Sequence, residues 1–164
     1  MTSFKMIAGA LAATVTMLGL VLLSHAQTPS DADRAVVEKA VLARMAEIQM
    51  AAESLDVDKV FSFVLDNDKG ALIQNGRLML SRQAAFDATK QGFADIRKVS
   101  YQFDAQHVTL ISSTVALVVG EGTTSVEAKD GQTRSRGFAQ SVVLVLTNGE
   151  WMVLHSHGSF AAGE

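Results

Sequence analysis

The stretch Asn148–Ser159, which reads NGEWMVLHSHGS, decides the fold of this chain. Its first two residues, Asn148-Gly149, favour a tight turn between adjacent antiparallel strands. The residues from Glu150 onward are mostly strand formers, and side chains at alternate positions of a strand share one face. The alternation therefore predicts one common face for Trp151, Val153, His155, His157 and Ser159.

Three more strand-forming runs precede this closing strand. They are Val99–Val108, Thr114–Val126 and Phe138–Leu146, separated by Ser112-Ser113 and Asp130-Gly131. Connections this short join antiparallel neighbours, because a parallel crossover needs about a dozen residues or more. The second half of the chain is therefore predicted to be a four-stranded antiparallel meander.

Helical periodicity dominates the chain before Lys98. Apolar residues recur at spacings of three and four along one predicted stripe: Val37, Val41, Met45, Ile48, Ala52 and Leu55. Ser30, Asp56 and Ser81 stand where N-caps of three helices are expected. Gln74-Asn75-Gly76-Arg77 predicts a small hairpin before the third helix. Helices that come first and strands that segregate late indicate the α+β class.

The first 26 residues are typical of a secretory signal peptide. Lys5 precedes the uncharged apolar run Met6–Leu23. Ser24-His25-Ala26 then places small residues at the two positions that a signal peptidase recognises before its cleavage site. We predict a signal peptide over 1–26, a tether over 27–30 and one domain over 31–164. The protein would then be periplasmic or secreted and, after cleavage, without membrane association. The alternative is a retained membrane anchor.

Composition excludes several classes of function. The 164 residues carry a formal net charge of −3 and no cysteine. No basic tract interleaved with aromatic residues is present, which argues against a nucleic-acid partner. The missing cysteine excludes disulfides, thiol catalysis and sulfur-ligated zinc. We predict no cofactor.

The order of elements resembles the nuclear transport factor 2-like, or SnoaL-like, superfamily. The resemblance is carried by a turn with Gly149, then Trp151, then a strand that ends His-x-His-x-Ser at 155–159. This ending is similar to the calcium/calmodulin-dependent kinase association domain and to SnoaL-like bacterial proteins grouped with it. The resemblance implies a cone-shaped α+β fold whose N-terminal helices pack in a curved antiparallel sheet that encloses a pocket.

Strand alternation then predicts which residues line that pocket. The expected lining comprises Trp151, Val153, Ser159, Tyr101 and Phe103. In the ketosteroid isomerase branch of the superfamily a carboxylate base stands on the strand after the second helix. Gln74 and Asn75 occupy the corresponding stretch here, and neither side chain is a base.

Three hypotheses compete for His155 and His157. They are polar lining of the pocket, or acid–base catalysts that titrate near neutral pH, or metal ligands. Catalysis needs an orienting carboxylate, for which Asp66 and Asp68 are the candidates by analogy of fold. A catalytic metal needs three protein ligands, and only His107 is available as a third, so no metal site is predicted.

The leading prediction for function is an exported protein that binds a small apolar or aromatic molecule. The alternatives are an acid–base enzyme of the isomerase, dehydratase or cyclase type, and a non-enzymatic module for dimerisation or assembly. One apolar row of the penultimate strand is expected on the outer face of the sheet and predicts a homodimer. Its members are Phe138, Val142, Leu144 and Leu146.

Overall fold

The structure, a computed structural model, describes residues 30–161. The predicted signal peptide and residues 27–29 of the tether lie outside the described residues, so the division of the chain stays a prediction. Three helices and six strands follow one another along the chain: α1 (Asp31–Glu53), α2 (Val57–Ser62), β1 (Leu72–Gln74), β2 (Arg77–Met79), α3 (Arg82–Phe93), β3 (Ile96–Ser112), β4 (Val115–Ala128), β5 (Thr133–Thr147) and β6 (Glu150–Phe160).

Each helix begins at the predicted cap. The Ser30 hydroxyl accepts a hydrogen bond from the Asp33 backbone N–H, and the Asp33 carboxylate accepts one from the Ser30 N–H, which completes a capping box. The Asp56 side chain caps α2 by accepting from the Lys59 N–H, and the Ser81 hydroxyl caps α3 by accepting from the Ala84 N–H. These polar side chains satisfy backbone donors that have no partner inside the helix, so they fix where each helix starts.

The six strands form one sheet in the order β2-β1-β6-β5-β4-β3. Strands β3 to β6 form the predicted antiparallel meander. The turn residues Asn148 and Gly149 both have positive φ angles, as a two-residue hairpin turn requires. The small β1–β2 hairpin extends the sheet by pairing β1 parallel to β6, with Leu72 opposite Ser156.

Bulges bend this sheet around the helices, and two of them lie in the middle of long strands. On β3 the register with β4 shifts between Phe103 and Ala105, and on β6 the register with β5 shifts between Val153 and His155. An extra residue in one strand increases its local twist and reverses which residues face inward beyond it. Gly122 lies opposite Phe103 at the first bulge, where a side-chain carbon would overlap the Gln102 backbone carbonyl. Only glycine permits so close an approach of the two strands.

The core lies between α1 and the inner face of the sheet. Val41 and Met45 of α1 pack with a buried cluster on the strands: Ala116, Val118, Val142, Leu144, Trp151 and Val153. A second cluster holds α2 and α3 together around Phe61 and Ala85. Burial of these apolar surfaces is the main source of stability in a domain of this size.

The core corrects the expectation about the penultimate strand. Phe138, Val142 and Leu144 are buried in the core of the protein, and Leu146 packs against that core. This row is apolar because it contacts the helices, so it provides no argument for a dimer. The α+β class and the curved sheet around N-terminal helices are confirmed. Within residues 30–161 no helix combines the length and the apolar character needed to cross a membrane.

Candidate functional site

The main cavity lies between the three helices and the inner face of the sheet. Its volume is ≈ 470 Å³. A side pocket of ≈ 160 Å³ adjoins it and shares Ile48, Tyr101 and Gln140 with its wall. A site of this size accommodates a small organic molecule.

Apolar side chains supply most of the cavity wall. Helices α2 and α3 contribute Val60, Phe61 and Phe93, while β3 and β4 contribute Val99 and Val126. The Phe61 ring meets Phe86 edge to face with centroids 5.4 Å apart, which holds the α2–α3 side of the wall. An occupant would therefore gain free energy chiefly by removing apolar surface from water.

Polar side chains gather at one end of the cavity. Tyr101, Thr124 and Arg136 lie directly opposite one another on β3, β4 and β5, and all three line the cavity. Other polar residues of the wall are Gln74, Asn75, Thr89, Gln140 and Ser156. The cavity thus offers a mostly apolar wall and one row of polar side chains across three strands, and a few polar groups of this kind orient a small ligand.

Tyr101 is held firmly at this end. Its backbone N–H donates to the Glu53 carboxylate at 2.8 Å, and the Gln49 side-chain amide donates to its carbonyl oxygen at 2.9 Å. Burial raises the pKa of the Tyr101 phenol, the nearby Glu53 charge raises it further, and Arg136 opposes the rise. The phenol is therefore protonated at neutral pH and can donate a hydrogen bond into the cavity.

Arg136 is the site residue that the sequence analysis did not select. Its guanidinium carbon lies 3.8 Å from the centroid of the Phe160 ring, and both residues line the cavity. The side chain is exposed, so it stands at the mouth. Strand alternation could have identified Arg136 as facing the cavity, because it precedes the inward-facing Phe138 by two positions.

The structure places His155 and His157 away from this cavity. Val153 lies opposite Leu144, but Ser156, three residues later, lies opposite Val142, and both partners are buried inward-facing residues. The bulge therefore turns Ser156, rather than its histidine neighbours, into the cavity wall. The expectation of one common face for all five residues fails at this extra residue.

Each histidine has a different environment. The His155 ring Nδ1 lies 2.7 Å from the Gly70 carbonyl oxygen, and because a carbonyl only accepts, Nδ1 carries the proton in this bond. His157 is exposed and lines a shallow depression on the outer face of the sheet. Asp66 and Asp68 are both exposed, and neither is hydrogen-bonded to His155.

The remaining predicted pocket residues divide between three environments. Tyr101 and Val153 line the main cavity. Phe103 and Ser159 line the side pocket, and Ser159 also reaches the outer depression. Trp151 is a buried residue of the core and contacts neither space.

One row of residues crosses the outer depression on four strands. His107, Val119, Ser141 and His157 lie opposite one another on β3, β4, β5 and β6. His107 and His157 stand at the two ends of the row, and strands are spaced about 4.8 Å apart, so their backbones are too distant to share a metal ion. Among residues 30–161 no three His, Cys, Asp or Glu side chains are grouped as a metal site.

Comparisons with known proteins agree with this architecture. The family model for the SnoaL-like domain matches residues 41–163. No curated protein matches the chain. Among solved structures, a nuclear transport factor 2-like superfamily protein from Salmonella enterica serovar Typhimurium is similar with a TM-score of 0.72 and 14% identity, over 79% of this chain and 94% of that one.

Two further structures share the fold. A candidate calcium/calmodulin-dependent protein kinase II association domain from Xanthomonas campestris has a TM-score of 0.66 and 17% identity, over 76% of this chain and 87% of that one. A hexachlorocyclohexane dehydrochlorinase from Novosphingobium barchaimii has a TM-score of 0.68 and 12% identity, over 81% of this chain and 92% of that one. The resemblance drawn from the closing strand is confirmed at the level of the fold.

Proposed function

The chain belongs to the SnoaL-like domain family, and on that premise we propose that it binds a small, largely apolar or aromatic molecule in the cavity between its helices and its sheet. The observation that carries the proposal is the ≈ 470 Å³ cavity with mostly apolar walls and a polar row formed by Tyr101, Thr124 and Arg136. The family hosts different activities on one fold, so the proposal depends on this site rather than on the fold.

The composition of the wall favours binding over acid–base catalysis. Of the described residues that line the main cavity, none is Asp, Glu, His, Lys or Cys, and the only ionisable side chains are Tyr101 and Arg136. The raised pKa of the Tyr101 phenol makes it a poor base at neutral pH. The isomerase, dehydratase or cyclase hypothesis requires a base, and the two histidines that could have supplied one lie outside the cavity.

We also propose that the protein acts outside the cytoplasm. The support is the charged, apolar and small-residue sequence of its first 26 residues. A binding protein in the periplasm or secreted medium would meet small apolar compounds before they reach the cell interior. The absence of cysteine is compatible with that setting, because the core alone stabilises the domain.

A homodimer formed by the outer face of the sheet is part of the proposal. Leu117 and Val143 lie opposite each other on this face, and Val119 follows in the next row. Val119 is 36% exposed and Leu154, on β6, is 37% exposed. An apolar sheet face of this kind favours association with a second copy. These residues replace the inward-facing row of β5 that the sequence suggested.

Native mass spectrometry of protein recovered from the exporting host tests the proposed binding function. We expect a bound compound of low mass that is released on denaturation and is then identified in the organic extract. The control is the Ala88→Phe variant, whose ring would occupy the cavity lined by Ala88. The same compound retained equally by the variant would contradict binding in this cavity.

A further inference from the structure

The cavity contains one permanent charge, and that charge has no acidic partner. Arg136 is the only Lys, Arg, Asp, Glu or His among the residues that line it, and within residues 30–161 no carboxylate forms an ion pair with Arg136. Two other arginines, Arg44 and Arg97, are paired with glutamates. An arginine without a partner at the mouth of an apolar cavity is available to a ligand.

The guanidinium of Arg136 is also oriented. It stacks on the Phe160 ring at 3.8 Å from the centroid, an arrangement that restricts the side chain and leaves its N–H groups free at the edge. A planar fork of N–H donors matches the two oxygens of a carboxylate. The restricted side chain loses less conformational entropy when such a pair forms.

The neighbours of Arg136 supply further hydrogen-bonding groups for an anionic head group. Thr124 lies directly opposite on β4, and Tyr101 lies opposite Thr124 on β3. Gln140 lies four residues after Arg136 on β5 and also lines the cavity. The rest of the wall is mostly apolar and includes Phe61 and Phe93, with the uncharged polar residues Asn75, Thr89 and Ser156 among them.

We infer that the ligand is an amphipathic monocarboxylate whose carboxylate pairs with Arg136 while its aromatic or aliphatic body fills the cavity. The inference rests on the proposed binding function. A single cation balances one negative charge, whereas a phosphate dianion would need more, and the part of the chain that the structure describes puts no second cation in the cavity wall. Because Arg136 is exposed, the pair is partly screened by water, and its contribution to affinity is moderate.

The test compares two competitors that differ only at the head group. Purified protein is titrated with the neutral fluorophore phenylnaphthylamine, which is then displaced by phenylvalerate or by its alcohol counterpart phenylpentanol. The wild type is expected to bind the acid more tightly than the alcohol. Arg136→Gln is expected to weaken phenylvalerate binding by about fivefold to tenfold and to leave phenylpentanol unchanged.

Arg134→Gln is the matched control. It removes the same charge two residues earlier on β5, at a position that does not line the cavity. Arg134→Gln should leave the affinities for the acid and the alcohol as in the wild type. If it weakened acid binding as much as Arg136→Gln does, the preference for the acid would arise from the net charge of the protein, and the inference would be overturned. Equal binding of acid and alcohol by the wild type would overturn it as well, while fluorophore binding would still support the proposed function. Failure of the fluorophore to bind at all would overturn both.

Discussion

Val153 and Ser156 both face the cavity although they are three residues apart on one strand. Simple alternation would place them on opposite faces. The extra residue in the β6 bulge reconciles the two positions, and as a consequence it directs His157 to the outer surface and His155 toward Gly70. The β6 side of the cavity wall thus depends on one extra residue in that strand.

The two histidines are expected to differ in their effect on stability. His155→Ala removes the hydrogen bond to the Gly70 carbonyl and should lower the free energy of unfolding by about 1–2 kcal/mol. His157→Ala, at an exposed position, serves as the control and should change it by less than about 0.5 kcal/mol. Urea denaturation followed by circular dichroism measures both. Equal effects of the two substitutions would contradict the assigned environments.

Adjacent valines on β4 test the two faces of the sheet. Val118 is fully buried, so Val118→Lys should unfold the protein by placing a charge in the core. Val119 lies on the outer face, so Val119→Lys should keep the native circular dichroism spectrum and convert the proposed dimer to a monomer. Light scattering reports the mass. A wild type that is monomeric, or a Val119→Lys variant of unchanged mass, would argue against the outer-face dimer.

Tyr101 should make stability depend on alkaline pH. Its pKa in the folded protein is raised by burial, so the unfolded chain loses the phenolic proton first, near its ordinary pKa of about 10. Stability from this group is therefore fully present below that value and is lost as pH rises through the folded pKa, by up to about 1.4 kcal/mol per pH unit.

Denaturation at about pH 8 and about pH 11 measures this loss in the wild type and in Tyr101→Phe. The chain has one tyrosine, so phenolate absorbance follows Tyr101 alone. Other groups titrate in the same range, and the difference between the two proteins isolates the phenol. The same pH dependence in both proteins would contradict a raised pKa at this position.

Processing of the chain is tested by its intact mass. Protein recovered from the exporting host is expected to begin at Gln27, because Ser24-His25-Ala26 presents small residues at the cleavage site. A matched variant, Ala26→Arg, should block cleavage and leave the precursor in the membrane fraction. Full-length wild type retained in that fraction would support the anchor alternative instead.

Local chemistry made much of the fold predictable. Ser30, Asp56 and Ser81 mark the helix starts, and Asn75-Gly76 and Asn148-Gly149 mark two turns, because each acts through neighbouring backbone groups. Two features depend on distant partners instead. The parallel pairing of Leu72 with Ser156 and the register shift after Val153 leave no signature in composition.

The candidate site was predictable only in part for the same reason. Tyr101 lies before the β3 bulge at Phe103–Ala105 and Val153 lies before the β6 bulge, where simple alternation gives the correct face, and both residues line the cavity. His155 and His157 lie beyond the β6 bulge, where alternation is reversed. Arg136 could have been found from its spacing to Phe138, but a charged residue beside an Asp-Gly turn is ordinarily solvated.

The central claim is that the cavity between helices and sheet binds an apolar molecule, and a fluorescence titration with phenylnaphthylamine tests it most directly. Ala88→Phe places a ring in the cavity, whereas Ala84→Phe places the same ring one helical turn earlier at an exposed position. The account predicts saturable binding by the wild type and by Ala84→Phe, and an affinity about tenfold lower for Ala88→Phe, equivalent to about 1.4 kcal/mol. Equal affinities in all three proteins, or no binding by the wild type, would contradict it.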